Sequence, residues 1–499
     1  MGKKQRSSNN NVKAPAAPQP KKGSVAANNS GTTTKDMRST STATTNKNNG
    51  SGNIVALVIQ IVLAVIKVVL VALLASPFWF LTHSLSVVYG RPPKLVYWSQ
   101  AVRFLRYTWT TTSTSVPLPL ADRIRLTSTI LVHTLTSPVM GFCWLLDEIL
   151  YGSKLRSISV VEPLFVVSAY RSASTQMARC LAASEASHFV APNSLMCAWP
   201  YLWLWYLVSW IVGDLKDPDS TNQEDASGLS KEEIKGYLNK SFTPESLARH
   251  ENDPFQLDTF DAPFLSSHLN GLAWQLGPQV IVQEFNYAQY IPENKHLFEH
   301  NMVECMDRMA RKTMLFYNCN ITNANSTLLV KGHFLSSCPA LEQKYPGAKF
   351  LTVLRDPVSR LQSGINFLAV NPTIWQGKPN WAWLAKALTE TEATYCEKEL
   401  QWFGSNSEGG ADNNDNRLAV RFDSFVDPKG FQRTMKKIYT WMGEDKVPSD
   451  VVPPQSRHNS TSHQKQYKVN VTLQQLGVDE TAYTERLADY IGWMKQIEK

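Results

Sequence analysis

The sequence predicts an α/β fold, a central parallel sheet flanked by helices, behind one N-terminal transmembrane helix. Three observations carry this expectation. Leu164-Phe165-Val166-Val167 sets four apolar residues side by side without alternation, the pattern of a parallel strand buried on both faces. Two further strand runs, Thr327 to Val330 and Lys349 to Leu354, each lead into charged residues. Ile54 to Leu81 is apolar almost throughout, interrupted by Gln60 and Lys67; at about 1.5 Å per residue it is long enough to cross a roughly 30 Å hydrocarbon core.

In chain order, residues 1–53 are rich in Ser, Thr, Asn, Lys and Gly and hold almost no large apolar side chain. Such a segment buries too little surface to offset its ordering entropy, so a disordered tail is expected. It carries nine basic residues against Asp36 alone, which accounts for the whole formal net charge of +8. The remainder is close to neutral, which excludes nucleic-acid binding by a basic face on the folded part. Basic residues ahead of the 54–81 segment predict a cytoplasmic N-terminus and an uncleaved signal anchor, because a cleaved signal peptide has a shorter apolar core nearer the start. Lys67 is costly near a bilayer centre unless its stem snorkels. Everything after Leu81 is then expected on the luminal side, and the sequons at Asn239, Asn320, Asn325, Asn459 and Asn470 agree, giving a glycoprotein.

Residues 82–159 read as a membrane-proximal helical region, basic at Arg91, Lys94, Arg103, Arg106, Arg123 and Arg125. Within it Leu126 to Leu150 is apolar but interrupted by His133, Pro138 and Asp147, which favours a packed or interfacial helix over a second crossing. Cys197 to Val212 is short for a span and dense in Trp and Tyr, which suits a core helix or a membrane interface equally. Asp214 to His250 is polar, as in a loop or lid. Glu293 to Asn318 has Leu297, Phe298, Met302, Met306, Met309 and Met314 at helical spacing, with Met as gap filler. Asn416 to Phe425 reads as a further strand and Lys429 to Met442 as a helix stopped near Gly443. The seven cysteines lack CxxC pairing, so no metal site is expected, and any disulfide is placed at Cys305 or Cys319.

The chemistry gathers at strand ends. Arg171-Ser172-Ala173-Ser174-Thr175 follows the first strand with a cation, hydroxyls and the amides of a helix start, where aligned peptide dipoles favour an anion. The helix, expected over Thr175 to Ala183, turns Met177, Cys180 and Leu181 toward the sheet. Ligands in open α/β sheets bind beyond the carboxyl ends of the strands, so Arg171, Lys331-Gly332-His333 and Arg355-Asp356-Pro357 can converge on one crevice.

The Tyr170 to Thr175 loop resembles the loop with which PAPS-dependent sulfotransferases hold the 5′-phosphosulfate, and Arg355 followed eight positions on by Ser363 resembles their 3′-phosphate motif. The likeness covers residues 161–499, with 160–499 as catalytic domain, and it implies a P-loop-like sulfotransferase fold without metal. In that reading Arg171, Ser172, Ala173, Ser174 and Thr175 hold the 5′-phosphate, Arg355 and Ser363 the 3′-phosphate, Lys331 meets the bridging oxygen and His333 removes the acceptor proton. Glu284 and Glu293 are alternative bases, and residues 456–465 the substitute for a C-terminal nucleotide loop. PAPS is the implied donor, adenosine 3′,5′-bisphosphate the product, and a glycan, lipid or small hydroxyl compound the acceptor, in the Golgi or ER membrane with single-pass type II topology. Two departures stand out: Ala173 replaces the family's glycine and Tyr170 its proline. An alanine fits as long as φ stays negative. Rival readings are an inactive, membrane-anchored sulfotransferase-like scaffold, and a P-loop kinase, although no GxxxxGK[ST] occurs.

Overall fold

The structure, a computed structural model, describes residues 50–93, 98–110, 119–183, 188–213, 215, 230–239, 253–260, 295–317, 326–369, 381–404, 416–453 and 471–497. Residues 54–499 form one compact unit. Five parallel strands make its sheet: β1 (Leu164–Val167), β2 (Phe189–Val190), β3 (Thr327–Gly332), β4 (Lys349–Leu354) and β5 (Arg417–Arg421), in the order β2-β3-β1-β4-β5. Register is set by Phe165 opposite Val330 on one side and Phe350 on the other.

The unbroken apolar runs have a direct reading in this sheet. Alternate side chains point to opposite faces, and both faces are covered: Phe165, Val167, Leu328, Val330, Phe350 and Leu354 enter one core, while Leu164, Val166, Leu329, Leu351 and Val353 enter the other. β5 lies at the edge, and there Leu418 and Val420 are buried while Arg417 and Arg421 are half-exposed.

The helices before the sheet are α1 (Gly50–Tyr89), α2 (Trp98–Trp109) and α3 (Leu120–Ser157). α1 runs eight residues past the expected Leu81, and α3 continues as one helix through Pro138. Both are long and apolar enough to cross a membrane. Asp147, read as an interruption, is fully buried and works as a clamp: its carboxylate accepts from Leu202 N and Trp203 N at 2.9 Å each and pairs with Lys312 at 2.8 Å.

Between the first strands lie α4 (Ser174–Ala182), α5 (Ser194–Ala198), α6 (Leu202–Val212), α7 (Lys231–Asn239) and α8 (Lys295–Phe316). α8 buries Met302, Met306, Met309 and Met314, and the side chains of Leu297 and Phe298 fall outside the described residues. The remaining helices are α9 (Cys338–Lys344), α10 (Pro357–Ala369), α11 (Trp381–Phe403), α12 (Phe422–Val426), α13 (Pro428–Met442), α14 (Glu480–Arg486) and α15 (Ala488–Gln496). α13 stops where the sequence says: Gly443 takes φ +94°, a left-handed conformation that glycine adopts without strain. The strand expected through Phe425 ends at Arg421 and gives way to α12. Cys305 is a buried free thiol, so the disulfide expected of it is not formed; Cys319 lies outside the described residues.

Candidate active site

Six residues join β1 to α4, and their backbone is unusual. Arg171 and Ala173 both have φ +65° and Ser172 between them does not, so the sign of φ alternates along the loop. Such alternation turns successive N–H groups toward one concave side, a nest for an anion. α4 starts at Ser174, one residue earlier than expected, and Ala173 caps it without a side-chain bond. The first amides of α4 therefore have no partner within the helix and open toward the same end. Alanine at Ala173 does not keep φ negative: it occupies a left-handed position where a Cβ costs about 1–2 kcal/mol. The glycine of the related loops is therefore a conformational requirement that this chain meets with strain.

Around the nest the sheet places three further groups. Arg171 Nε donates to Ser363 Oγ at 3.1 Å, and its guanidinium lies 5.0 Å from the Phe367 ring centroid. Arg355 donates through Nη1 to the Arg171 carbonyl at 2.7 Å, and its guanidinium carbon lies 4.5 Å from the Phe422 ring centroid. Burial, with Arg360 nearby, lowers the Arg355 pKa from its ordinary value. The residues expected to hold the two phosphates are thus one connected cluster. Not every hydroxyl is available to it: Ser172 Oγ donates to the Ala169 carbonyl at 2.6 Å, and Thr175 Oγ1 to Asp258 at 3.0 Å.

Lys331, next to last in β3, and His333, just past its end, sit on one side of the chain, as an extended backbone requires for residues two apart. Lys331 Nζ lies 3.4 Å from His333 Nε2, and both residues are buried. His333 Nδ1 is 2.6 Å from the Ser168 carbonyl oxygen. A carbonyl only accepts, so Nδ1 carries a proton and the neutral ring presents Nε2 as its unprotonated nitrogen, facing Lys331. Ser168 is in turn held by Gly332, which accepts from its N–H at 3.4 Å, and by Val353, whose N–H donates to its hydroxyl at 2.8 Å. One residue at the end of β1 thereby fixes the imidazole against three strands.

Two features of the site have no sequence motif. Asp258, on the described strip 253–260, accepts from Thr175 and stands 3.8 Å from Lys331 Nζ, joining the loop to the β3 pair. Beneath the loop is a buried ionic cluster: Arg360 donates to Glu392 at 2.7 Å and to Glu399 at 3.0 Å, and Glu399 also accepts from Thr352, Tyr490 and the Ala169 amide. Burial raises the Glu392 carboxyl from its ordinary value, against the pull of Arg360, which stands as one cation between two acids. Tyr170, in the family's proline position, is explained here. Its ring lies over Gly364 of α10, and its hydroxyl and Glu392 Oε1 face each other, neither with another hydrogen-bond partner. The alternative bases Glu284 and Glu293 and the 456–465 stretch lie outside the described residues, as do four of the five sequons; Asn239 ends α7. Among the described residues no cluster of His, Cys, Asp and Glu could hold a metal ion.

The chain is an α/β protein with an all-parallel sheet, a φ-alternating loop after its central strand and basic residues at the ends of the strands beside it, the place where ligands of such sheets bind. A sequence model of the Sulfotransferase family matches residues 163–448, more than half of the chain, and the chain belongs to that family. No curated protein matches in sequence. Among solved structures it is similar to sulfotransferase STF9 from Mycobacterium avium, at 12% identity and a TM-score of 0.53, over 84% of this chain and 95% of that one. Sulfotransferase STF1 from Mycobacterium tuberculosis H37Rv gives 15% identity and a TM-score of 0.47, over 82% and 97%. At such identities the likeness to STF9 speaks for the fold alone.

Proposed function

We propose that this sulfotransferase takes its sulfuryl group from PAPS and passes it to a hydroxyl or amine acceptor, releasing adenosine 3′,5′-bisphosphate. The observation that carries the reading is the convergence of the φ-alternating nest, the Arg171–Ser363–Arg355 cluster and the Lys331–His333 pair on the carboxyl ends of β1, β3 and β4. The nest, the α4 amides and Arg171 receive the 5′-phosphosulfate, and Arg355 with Ser363 the 3′-phosphate. In the in-line displacement charge grows on the bridging oxygen, where Lys331 supplies a cation from a buried position. His333 accepts the acceptor proton at Nε2 as the new S–O bond forms and the S–O bond to the leaving phosphate breaks.

The anchor reading of α1 supports a single-pass type II protein of the Golgi or ER membrane, with the site in the lumen and a glycan, lipid or small hydroxyl compound as acceptor. Thermal shift of the full chain with adenosine 3′,5′-bisphosphate tests the donor. Stabilisation by this bisphosphate and not by ATP is expected. Preference for ATP supports a kinase, and no shift with either supports an inactive scaffold.

A further inference from the structure

α6, LWLWYLVSWIV, buries Leu202 and Trp205 and packs most of its other apolar side chains partly on the core, yet Trp210, 82% exposed, and Leu207, 42% exposed, three positions apart, leave an apolar face outside it. An apolar helix of a globular domain ordinarily turns such a face inward. Several contacts fix where the face points. Asp147 of α3 caps the first amides of α6, and Lys312 of α8 pairs with Asp147, donates to the Pro200 carbonyl at 2.7 Å and lies 3.3 Å over the Trp144 ring. Tyr206 of α6 packs on Tyr151 of α3 at 5.6 Å, beside the exposed Ile149 and Leu150. Further back along α3, Phe142 meets Phe78 of α1 at 5.3 Å, and the Pro138 carbonyl accepts from Thr82 at 2.8 Å. α6 is thus tied through α3 to the Phe78 to Thr82 end of α1, whose preceding turns carry many exposed apolar side chains.

We propose that α6, with the Ile149 to Tyr151 edge of α3, is seated in the interfacial layer of the lipid bilayer as a second attachment point of the catalytic unit. The occupant is lipid because α3 holds this Trp- and Tyr-rich face and the end of α1 together; this rests on the anchor reading of α1 given above. Eleven residues rise only about 16 Å, too short to span, and a helix rich in Trp and Tyr belongs at headgroup depth. The attachment lies close to the chemistry. α5 follows the carboxyl end of β2, and its first amides donate to the carbonyls of Gln256 and Pro254, on the strip whose Asp258 faces Lys331. The transfer site is in this way held near the membrane surface, in reach of a lipid-borne acceptor.

The test uses the full chain in phosphatidylcholine vesicles, with an NBD fluorophore on a cysteine introduced by Trp210→Cys or, as a solvent reference, by Lys436→Cys on α13, whose core lies on the opposite face of the sheet. The labelling background is measured on the unsubstituted chain. Spin-labelled phosphatidylcholine is expected to quench the probe at 210 at least about two-fold more than the probe at 436. Equal quenching in chains that float with the vesicles after alkaline carbonate overturns the attachment and leaves the α1 anchor standing. A probe at 210 that is shielded from water but not quenched by the lipid overturns it in favour of a protein partner, a second copy included. Failure to float refutes the anchor itself, and with it this inference.

Discussion

Replacing His333 by asparagine separates catalysis from structure in a way that alanine does not. The imidazole has two duties in the structure: Nδ1–H donates to the Ser168 carbonyl at 2.6 Å, and Nε2 faces Lys331 at 3.4 Å. Asparagine can return an N–H near the Nδ1 position but has no basic nitrogen at Nε2. The buried Ser168 carbonyl then stays paired, and the stability loss should stay below about 1 kcal/mol, a shift of a few degrees in Tm. Loss of a positioned general base lowers the rate by about 10²- to 10⁴-fold, or roughly 3–5 kcal/mol of transition-state stabilisation. His333→Ala removes both duties and should lose the same rate together with about 1–3 kcal/mol of stability from the unpaired carbonyl. The assay is single-turnover transfer from labelled PAPS, alongside bisphosphate titration and thermal melts. Full activity in His333→Asn refutes the base assignment and turns attention to Glu284 and Glu293. A loss of nucleotide affinity equal to the loss of rate makes the residue a structural one.

Three further outcomes follow from the geometry. Arg355→Ala and Ser363→Ala should each weaken adenosine 3′,5′-bisphosphate binding by about 1.5–3 kcal/mol, read by calorimetry, and Ser363→Ala should also loosen Arg171, whose Nε it receives; unchanged affinity in both removes the 3′-phosphate assignment. Gly364→Ala would put a methyl carbon 2.7 Å from the Tyr170 ring, so the loop must shift; nucleotide affinity should fall while Tyr170→Phe, which keeps the ring, leaves the clash in place and does not rescue it, whereas Tyr170→Pro does. Burial lowers the Lys312 pKa to about 8, with Asp147 opposing. The unfolded chain then holds more protons than the folded one from about pH 8 to its ordinary value of 10.5, so this group's contribution makes stability rise with pH across that window, the penalty of the buried charge being complete below it. The rise is at most on the order of 3 kcal/mol. Melts of detergent-solubilised protein between pH 7.5 and 9.5 should lose that slope when Lys312→Met is combined with Asp147→Asn, and an identical slope in the double variant refutes the assignment.

β1, β3, β4 and the three charged segments after them were legible because each is local, whereas the two-residue β2 was not. β1, β3 and β4 are buried on both faces, so their apolar residues run without alternation, and Lys331, His333 and Arg355 follow directly on those runs. The left-handed φ of Ala173 was not legible, since nothing in an alanine announces the conformation that the surrounding contacts impose on it. Asp258 reaches Lys331 and Thr175 across 73 and 83 positions, and Glu399 reaches Ala169 across 230; pairings of that separation exist only once the sheet has brought their elements together. Asp147 is the plainest case. In the sequence it interrupts an apolar run and argues only against a second crossing; in the fold it is fully buried, because Lys312 and the first amides of α6 satisfy both of its oxygens. The sequence by itself determined where β1, β3 and β4 run, that β1 is central, and which charged segments follow each of them. Tertiary structure decided the nest conformation, the tautomer of His333 and the partners of each buried charge, because those depend on hydrogen bonds between segments that no local pattern encodes.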